Sequence, residues 1–164
     1  MFTEIIIRPI GIIKTPFTEI AQMPIQPSGA MNVLGTIELD PDFTEGLKDL
    51  EGFSHIILLY HFHKITTPKL SVVPFMDTVA RGVFATRSPA RPNAIGISTV
   101  KLLHIEGNVL FLEGVDMLNG SPLIDIKPFF ARFDNRENAV SGWLDAQTNI
   151  DITTIRSDDR FDQQ

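Results

Sequence analysis

Ile97-Ser-Thr-Val-Lys-Leu-Leu-His-Ile105, Glu106-Gly-Asn108 and Val109-Leu-Phe-Leu-Glu-Gly-Val115 follow one another without a break. Both flanking runs are rich in β-branched and large apolar residues, and Gly-Asn between them suits a tight turn. The stretch therefore predicts two strands joined as a hairpin. The same signals recur outward from it. Residues 53–62 are strongly apolar, β-branched and aromatic, which predicts a buried strand. Residues 35–39 predict a short strand, and 5–13 a strand with an irregularity or edge at Arg8-Pro9. The acidic start of 40–50 favours a helix N-terminus and predicts one or two helical turns. On the C-terminal side, Asn119-Gly-Ser-Pro122 reads as a turn and 123–127 as a short strand stopped by Pro128. Residues 21–30, with Pro24, Pro27, Ser28 and Gly29, predict a loop, and 66–77, with Pro68 and Pro74, a looser segment. No repeat or heptad occurs, and few segments sustain a helical period. The expected fold is mainly β, a barrel or sandwich, and full closure would remove the edges of so many short strands.

With 164 residues the chain is expected to form one domain able to bury its own core. It has no cysteine, which excludes disulfides and thiolate chemistry. The start, Met-Phe-Thr-Glu-Ile-Ile-Ile-Arg, has neither a basic leader nor a long apolar run, so a cytoplasmic protein without membrane insertion is expected. A net charge of −6 argues against indiscriminate nucleic-acid binding but leaves room for a local docking face. The eleven glycines include no G-x-G, so the phosphate loop of a nucleotide-binding fold is excluded by motif, as are the P-loop and the nucleophile elbow.

Against this acidic background, Arg81-Gly-Val-Phe-Ala-Thr-Arg87-Ser-Pro-Ala-Arg91-Pro-Asn-Ala-Ile-Gly-Ile-Ser98 carries three arginines and no acid. Pro89 and Pro92 fix their own φ and push Ala90 and Arg91 toward extended backbone. A preset backbone lowers the entropic cost of presenting a long side chain. Arg87 and Arg91 therefore read either as solvated loop residues or as guanidinium forks offered to a carboxylate, a phosphate or an aromatic ring.

Two further groups invite a chemical reading. His55, His61 and His63 share one parity, so on a strand all three would face one side. A cupin-like metal site using His61 and His63 wants a nearby carboxylate and a further histidine. Lys64-Ile-Thr-Thr-Pro-Lys69 follows instead, and the next histidine is His104. The preferred reading is no metal, with His63 at the strand end bonding a ligand or the backbone. In Asp116-Met-Leu-Asn-Gly-Ser-Pro-Leu-Ile-Asp-Ile-Lys-Pro128, Asp125 and Lys127 share one side of a short strand. They read either as a surface ion pair or, beside the groups offered by Asn119, Gly120 and Ser121, as part of a ligand site.

Phe84-Ala-Thr-Arg-Ser-Pro-Ala-Arg-Pro-Asn93 with Ile95-Gly96 resembles the signature of the TsaA-like family. Further pieces match in order: Ile10-Gly-Ile-Ile-Lys-Thr-Pro-Phe17, Pro24-Ile-Gln-Pro27, Leu50-Glu-Gly-Phe-Ser-His55, Phe62-His63, and Gly120-Ser-Pro-Leu-Ile-Asp-Ile-Lys-Pro128. The likeness spans about residues 6–134. It implies a small antiparallel β-barrel over residues 1–140, with 141–164 a short tail packing on it or extending from it. It also implies a dimer that binds S-adenosylmethionine and methylates N6-threonylcarbamoyladenosine in tRNA. The donor site it implies comprises Gln26, Pro27, Ser28 and Gly29, then His63 and Lys64, then Arg91, Leu102, Leu118, Asn119, Gly120 and Ser121, with Phe84 added from the signature. Asp125 is the expected proton acceptor, with Lys127 and Arg87 meeting the substrate's carboxylate or phosphate. Alternatives are a cofactor-binding accessory module that transfers nothing, and the metal enzyme above. The chain departs from the family pattern at Ala94, where proline is usual, and at Asn119-Gly-Ser-Pro, where Asp-Gly-Thr-Pro is usual.

Overall fold

The computed structural model describes residues 4–21, 23–147, 150–151, 153–158 and 160. Expectations touching residues 1–3, 22, 148–149, 152, 159 and 161–164 lie outside the described residues.

Six strands close into an antiparallel barrel: β1 (Gly11–Lys14), β2 (Leu34–Leu39), β3 (His55–His61), β6 (Ile95–Glu106), β7 (Val109–Glu113) and β8 (Ser121–Pro128). The order around the barrel is β1-β2-β7-β6-β3-β8, and β8 pairs back onto β1. Outside it, β4 (Ser71–Val72) and β5 (Arg81–Gly82) form a two-stranded ribbon. Closure pairs every barrel strand on both sides, which settles the choice between barrel and sandwich.

Alternation along the strands builds the core. Ile56, Leu58 and Tyr60 of β3 point inward and meet Ile13, Ile37, Val100, Leu110, Leu112 and Leu123 from the other strands. The β6–β7 hairpin turns at Gly107, whose φ is +60°. The helical expectation for 40–50 takes the form of 3₁₀ turns, Pro41–Leu47 and Leu50–Gly52. Asp40 caps the first, its carboxylate accepting from the Asp42 amide at 3.1 Å.

Two irregularities matter for the site. Between Leu102 and His104 the register of β6 against β7 shifts, with Leu103 as the extra residue. Between Leu59 and Tyr60 the register of β3 against β8 shifts, with Ile124 as the extra residue. Because the bulge adds one residue, Leu123 faces the core beside Tyr60 while Asp125 stands opposite outward-facing Leu59. The strand expected over 5–13 is shorter than its β-branched run. Pairing begins at Gly11, where a Cβ would stand 2.7 Å from the Glu38 carbonyl oxygen.

Candidate functional site

A cleft of about 670 Å³ opens where one end of the barrel meets the loops. Its floor comes from the strand ends: Tyr60 at the end of β3 and Phe62 just after it, Ile95 to Ile97 at the start of β6, and Asp116 to Leu118 between β7 and β8. Its walls come from Gln26 and Ser28, from the arginine loop, and from Trp143 and Leu144.

The arginine loop is built as its prolines suggest. Ala90 is fully buried against Val72, Ile65 and Phe75, and the Lys69 amide donates to its carbonyl at 3.1 Å. The Ser88 amide donates to Thr86 Oγ1 at 3.2 Å, and the Arg91 amide to the Pro89 carbonyl at 2.8 Å. The arginines part company. Arg81 is committed to a two-pronged pair with Asp77 at 2.9 and 2.8 Å, and its guanidinium lies 5.5 Å from the Trp143 ring centroid. That guanidinium holds the Asp77 carboxyl below the usual range. Arg87 and Arg91 both line the cleft. Arg87 donates to Gln26 Oε1 at 3.3 Å and so ties two walls together, while Arg91 donates to the Thr86 carbonyl at 3.2 Å.

The other expected donor-site residues divide by position. Gln26, Ser28, His63, Lys64, Phe84, Leu118 and Ser121 line the cleft. Pro27 and Gly29 form the 3₁₀ turn (Pro27–Gly29) around Ser28 and do not line it. Asn119 and Gly120 act as scaffold. Asn119 Oδ1 accepts from the Thr15 amide at 3.1 Å, and Gly120, with φ at +80°, makes the turn before β8. Leu102 lies in the barrel core and faces away from the cleft.

Asp125 and Lys127 are likewise outside it: the bulge turns both outward, where they pair with each other at 2.7 Å. The histidine parity argument holds for His55 and His61 and stops at the end of β3. His63 sits in the turn beyond, its amide donating to the His61 carbonyl at 2.9 Å. Burial, then the neighbouring Lys64 charge, pushes the His63 imidazole below its ordinary value. Among the described residues no three His, Asp or Glu side chains gather as metal ligands. No helix among them is long and apolar enough to cross a membrane.

Two features of the cleft were missed by sequence reasoning. At the floor, Ser98 Oγ donates to Asp116 Oδ1 at 2.7 Å and lies 3.1 Å from Tyr60 Oη. Burial pushes the Asp116 carboxyl up to about 6, while Ser98 and then Arg87 oppose the rise. Burial, and then the Asp116 charge, raises the Tyr60 phenol well above its usual range. At the rim, Trp143 from the 3₁₀ segment Gly142–Ala146 donates its indole N–H to the Ala85 carbonyl at 2.8 Å. The tail is laced to the 20–29 loop further on: Pro24 bridges Arg156, and the Met23 amide donates to Ser157 Oγ at 2.9 Å.

Known proteins resemble this chain in sequence and in fold. A protein of Pyrococcus abyssi named as a probable S-adenosyl-L-methionine-binding protein is 53% identical over 94% of this chain and 83% of its own length. The human tRNA (adenine(37)-N6)-methyltransferase is 34% identical over 87% of this chain, which spans only 34% of that protein. The crystal structure of TrmO from Pseudomonas aeruginosa superposes with a TM-score of 0.73 at 38% identity, covering 86% of this chain and 63% of that one. The tRNA-methyltransferase O N-terminal domain description matches residues 12–135, and the chain belongs to that family.

Proposed function

We propose that the cleft binds S-adenosylmethionine and that the chain methylates N6 of adenosine in tRNA, with threonylcarbamoyladenosine as the acceptor. What carries the reading is one cleft that combines two guanidiniums, aromatic walls and a recessed carboxylate in a chain of this family. Its volume suits a nucleoside-sized ligand. When bound, the donor supplies an electrophilic methyl group on a sulfonium and leaves as a neutral thioether.

The chain's own residues would supply binding and orientation. Arg91 is held in place by the Thr86 carbonyl and can clamp a carboxylate. Arg87, shared with Gln26, sits where a substrate carboxylate or phosphate could replace the amide. Phe84 is largely exposed and, with Trp143, offers an aromatic face to a purine or a cation, a contact worth roughly 0.5–2 kcal/mol. Lys64, Arg87 and Arg91 give this side of an acidic molecule the local positive charge that a tRNA needs. Asp125 and Lys127 take no part in this reading, because their pair lies outside the cleft.

A homodimer and a cytoplasmic setting belong to the same proposal. The apolar side chains left exposed outside the cleft, Leu103 on β6 and Phe130 and Phe133 after β8, support self-association. Sedimentation at micromolar concentration should give twice the monomer mass, and a monomer removes the dimer.

Calorimetry with S-adenosylmethionine and transfer of labelled methyl onto tRNA lacking the mark test the proposal together. Saturable uptake with labelled adenosine supports it. A second reading, a donor-binding module without transfer, is favoured by the Pyrococcus relative, which is named as a probable S-adenosyl-L-methionine-binding protein. Uptake with no labelled tRNA would establish that reading, and no uptake would overturn both.

A further inference from the structure

We propose that Asp116 is the proton acceptor for the attacking nitrogen, held in position by Ser98 and Tyr60. The inference rests on the methyl-transfer reading above and names the group that completes it. An N6 nitrogen inside a urea-like linkage has a delocalised lone pair, so its N–H must be taken as the new bond forms. The step balances as follows. N6 gains the methyl carbon and keeps the electrons of its broken N–H bond, the donor sulfur keeps those of the broken S–C bond, and the proton goes to a carboxylate oxygen of Asp116.

Three elements converge on this carboxylate. Asp116 follows β7 in the loop that leads to β8, Ser98 projects from β6, and Tyr60 ends the inward row of β3. Ser98 and Tyr60 are themselves buried, so the chain from Tyr60 through Ser98 to Asp116 fixes the carboxylate from behind while it faces the cleft. Recessing a carboxylate costs stability unless a cation pairs with it. The cation whose charge reaches it is Arg87, whose hydrogen bond goes to Gln26 instead. The fold thus keeps an under-neutralised carboxylate at the floor of the cleft. Its raised affinity for a proton, near the pH at which it must work, suits it to accept one.

The groups that face Asp116 are Tyr60 from β3, Ser98 from β6 and Arg87 from the arginine loop, with His63 and Lys64 lining the same cleft. Tyr60 stays protonated through the working range and cannot take the proton. His63 is the rival acceptor. It sits in the turn beyond β3, and among the described residues no buried relay like that of Ser98 and Tyr60 stands behind it.

The test uses the full chain and its Asp116→Asn, Ser98→Ala and His63→Gln variants. Donor affinity is measured by calorimetry, the Asp116 carboxyl is titrated by carbon NMR, and single-turnover methylation is followed from pH 5 to 8. Wild type should show a carboxyl titrating near pH 6 and a rate that rises through the same range. Asp116→Asn should bind the donor within about twofold, lose the rising limb and slow by roughly 10²–10⁴. Ser98→Ala should move carboxyl titration and rate limb together to higher pH, because the lost hydrogen bond favours the ionised form. A limb unchanged in Asp116→Asn, a loss confined to donor affinity, or loss of the limb in His63→Gln instead would each overturn the assignment. If wild type binds the donor but labels no tRNA, the methyl-transfer reading itself has failed, and this inference with it.

Discussion

Gly96 lies flat against the ring of Tyr60: a Cβ at Gly96 would stand 2.4 Å from two ring carbons and 2.9 Å from the Phe62 ring. The two residues are also cross-strand partners on β3 and β6. Tyr60 therefore reaches Ser98 because position 96 leaves it room, and the glycine of the arginine-rich stretch serves the cleft floor two residues away.

Gly96→Ala should accordingly displace the Tyr60 ring, and inserting a methyl group into a packed site typically costs about 1–3 kcal/mol. Urea denaturation should show the loss as a lower midpoint with an unchanged slope. Near-ultraviolet circular dichroism should change in the tyrosine region. A variant as stable as wild type would mean that the ring has another place to go.

Asp116 gives stability a pH dependence of definite sign. Its carboxyl titrates near 6 when folded and at the ordinary carboxylate value of about 3.8 when unfolded, so the folded state holds the proton more tightly. That contribution is fully present below about pH 4 and is lost as pH rises through 6, at about 3 kcal/mol for a shift of this size. His63 acts in the opposite sense. Its depressed folded value gives stability that is present above the ordinary histidine range and lost as pH falls. The comparison that isolates Asp116 is wild type against Asp116→Asn, by chemical denaturation at pH 4, 5, 6 and 7. The asparagine variant should gain relative stability from pH 4 to about 6 and level off by pH 7. A constant difference would mean that the carboxyl ionises normally.

Strands were legible where side-chain type alone decides them. The 97–115 hairpin, the buried β3 and the arginine loop all carry local signals, and each formed as read. What was not legible needed partners from afar. The Ile124 bulge reverses the parity of Asp125 and Lys127 relative to Leu123, and nothing in Leu123-Ile-Asp-Ile-Lys127 announces an extra residue. Asp116 looks like a loop acid in sequence. Its burial arises only when β3, β6 and β7 close around it, and the one available hint was its place at the head of the unusual 116–128 stretch. Trp143 stands alone in a polar tail, and its role at the rim depends on the carbonyl of Ala85, fifty-eight residues earlier. The commitment of Arg81 to Asp77, four residues before it, is likewise seen only in the fold.

The Lys127–Asp125 pair is short but exposed, with 60% and 41% of the side chains open to solvent. Exposed pairs of this kind contribute about 0–1 kcal/mol. Lys127→Ala should shift the urea midpoint by no more than that, and 1 M salt should erase the difference. A larger loss that survives salt would mean that Lys127 supports β8 by packing rather than by charge.

Trp143 separates binding from folding. Its indole N–H bond to Ala85 joins the Gly142–Ala146 segment to the 3₁₀ turn (Val83–Ala85) that carries Phe84, and the Arg81 guanidinium beside its ring adds a second link between the two walls. The bond itself is worth about 0.5–1.5 kcal/mol net, and the barrel core does not depend on it. Trp143→Phe should keep an aromatic wall and weaken S-adenosylmethionine binding a few-fold. Trp143→Ala should weaken it about tenfold, as expected for an aromatic contact worth about 1.4 kcal/mol. Both variants should unfold within about 1 kcal/mol of wild type while their tails are cut faster by trypsin at Arg156, because local opening of the tail is independent of the barrel. Equal donor affinity in Trp143→Ala and wild type would show that this wall holds the tail in place and takes no part in binding.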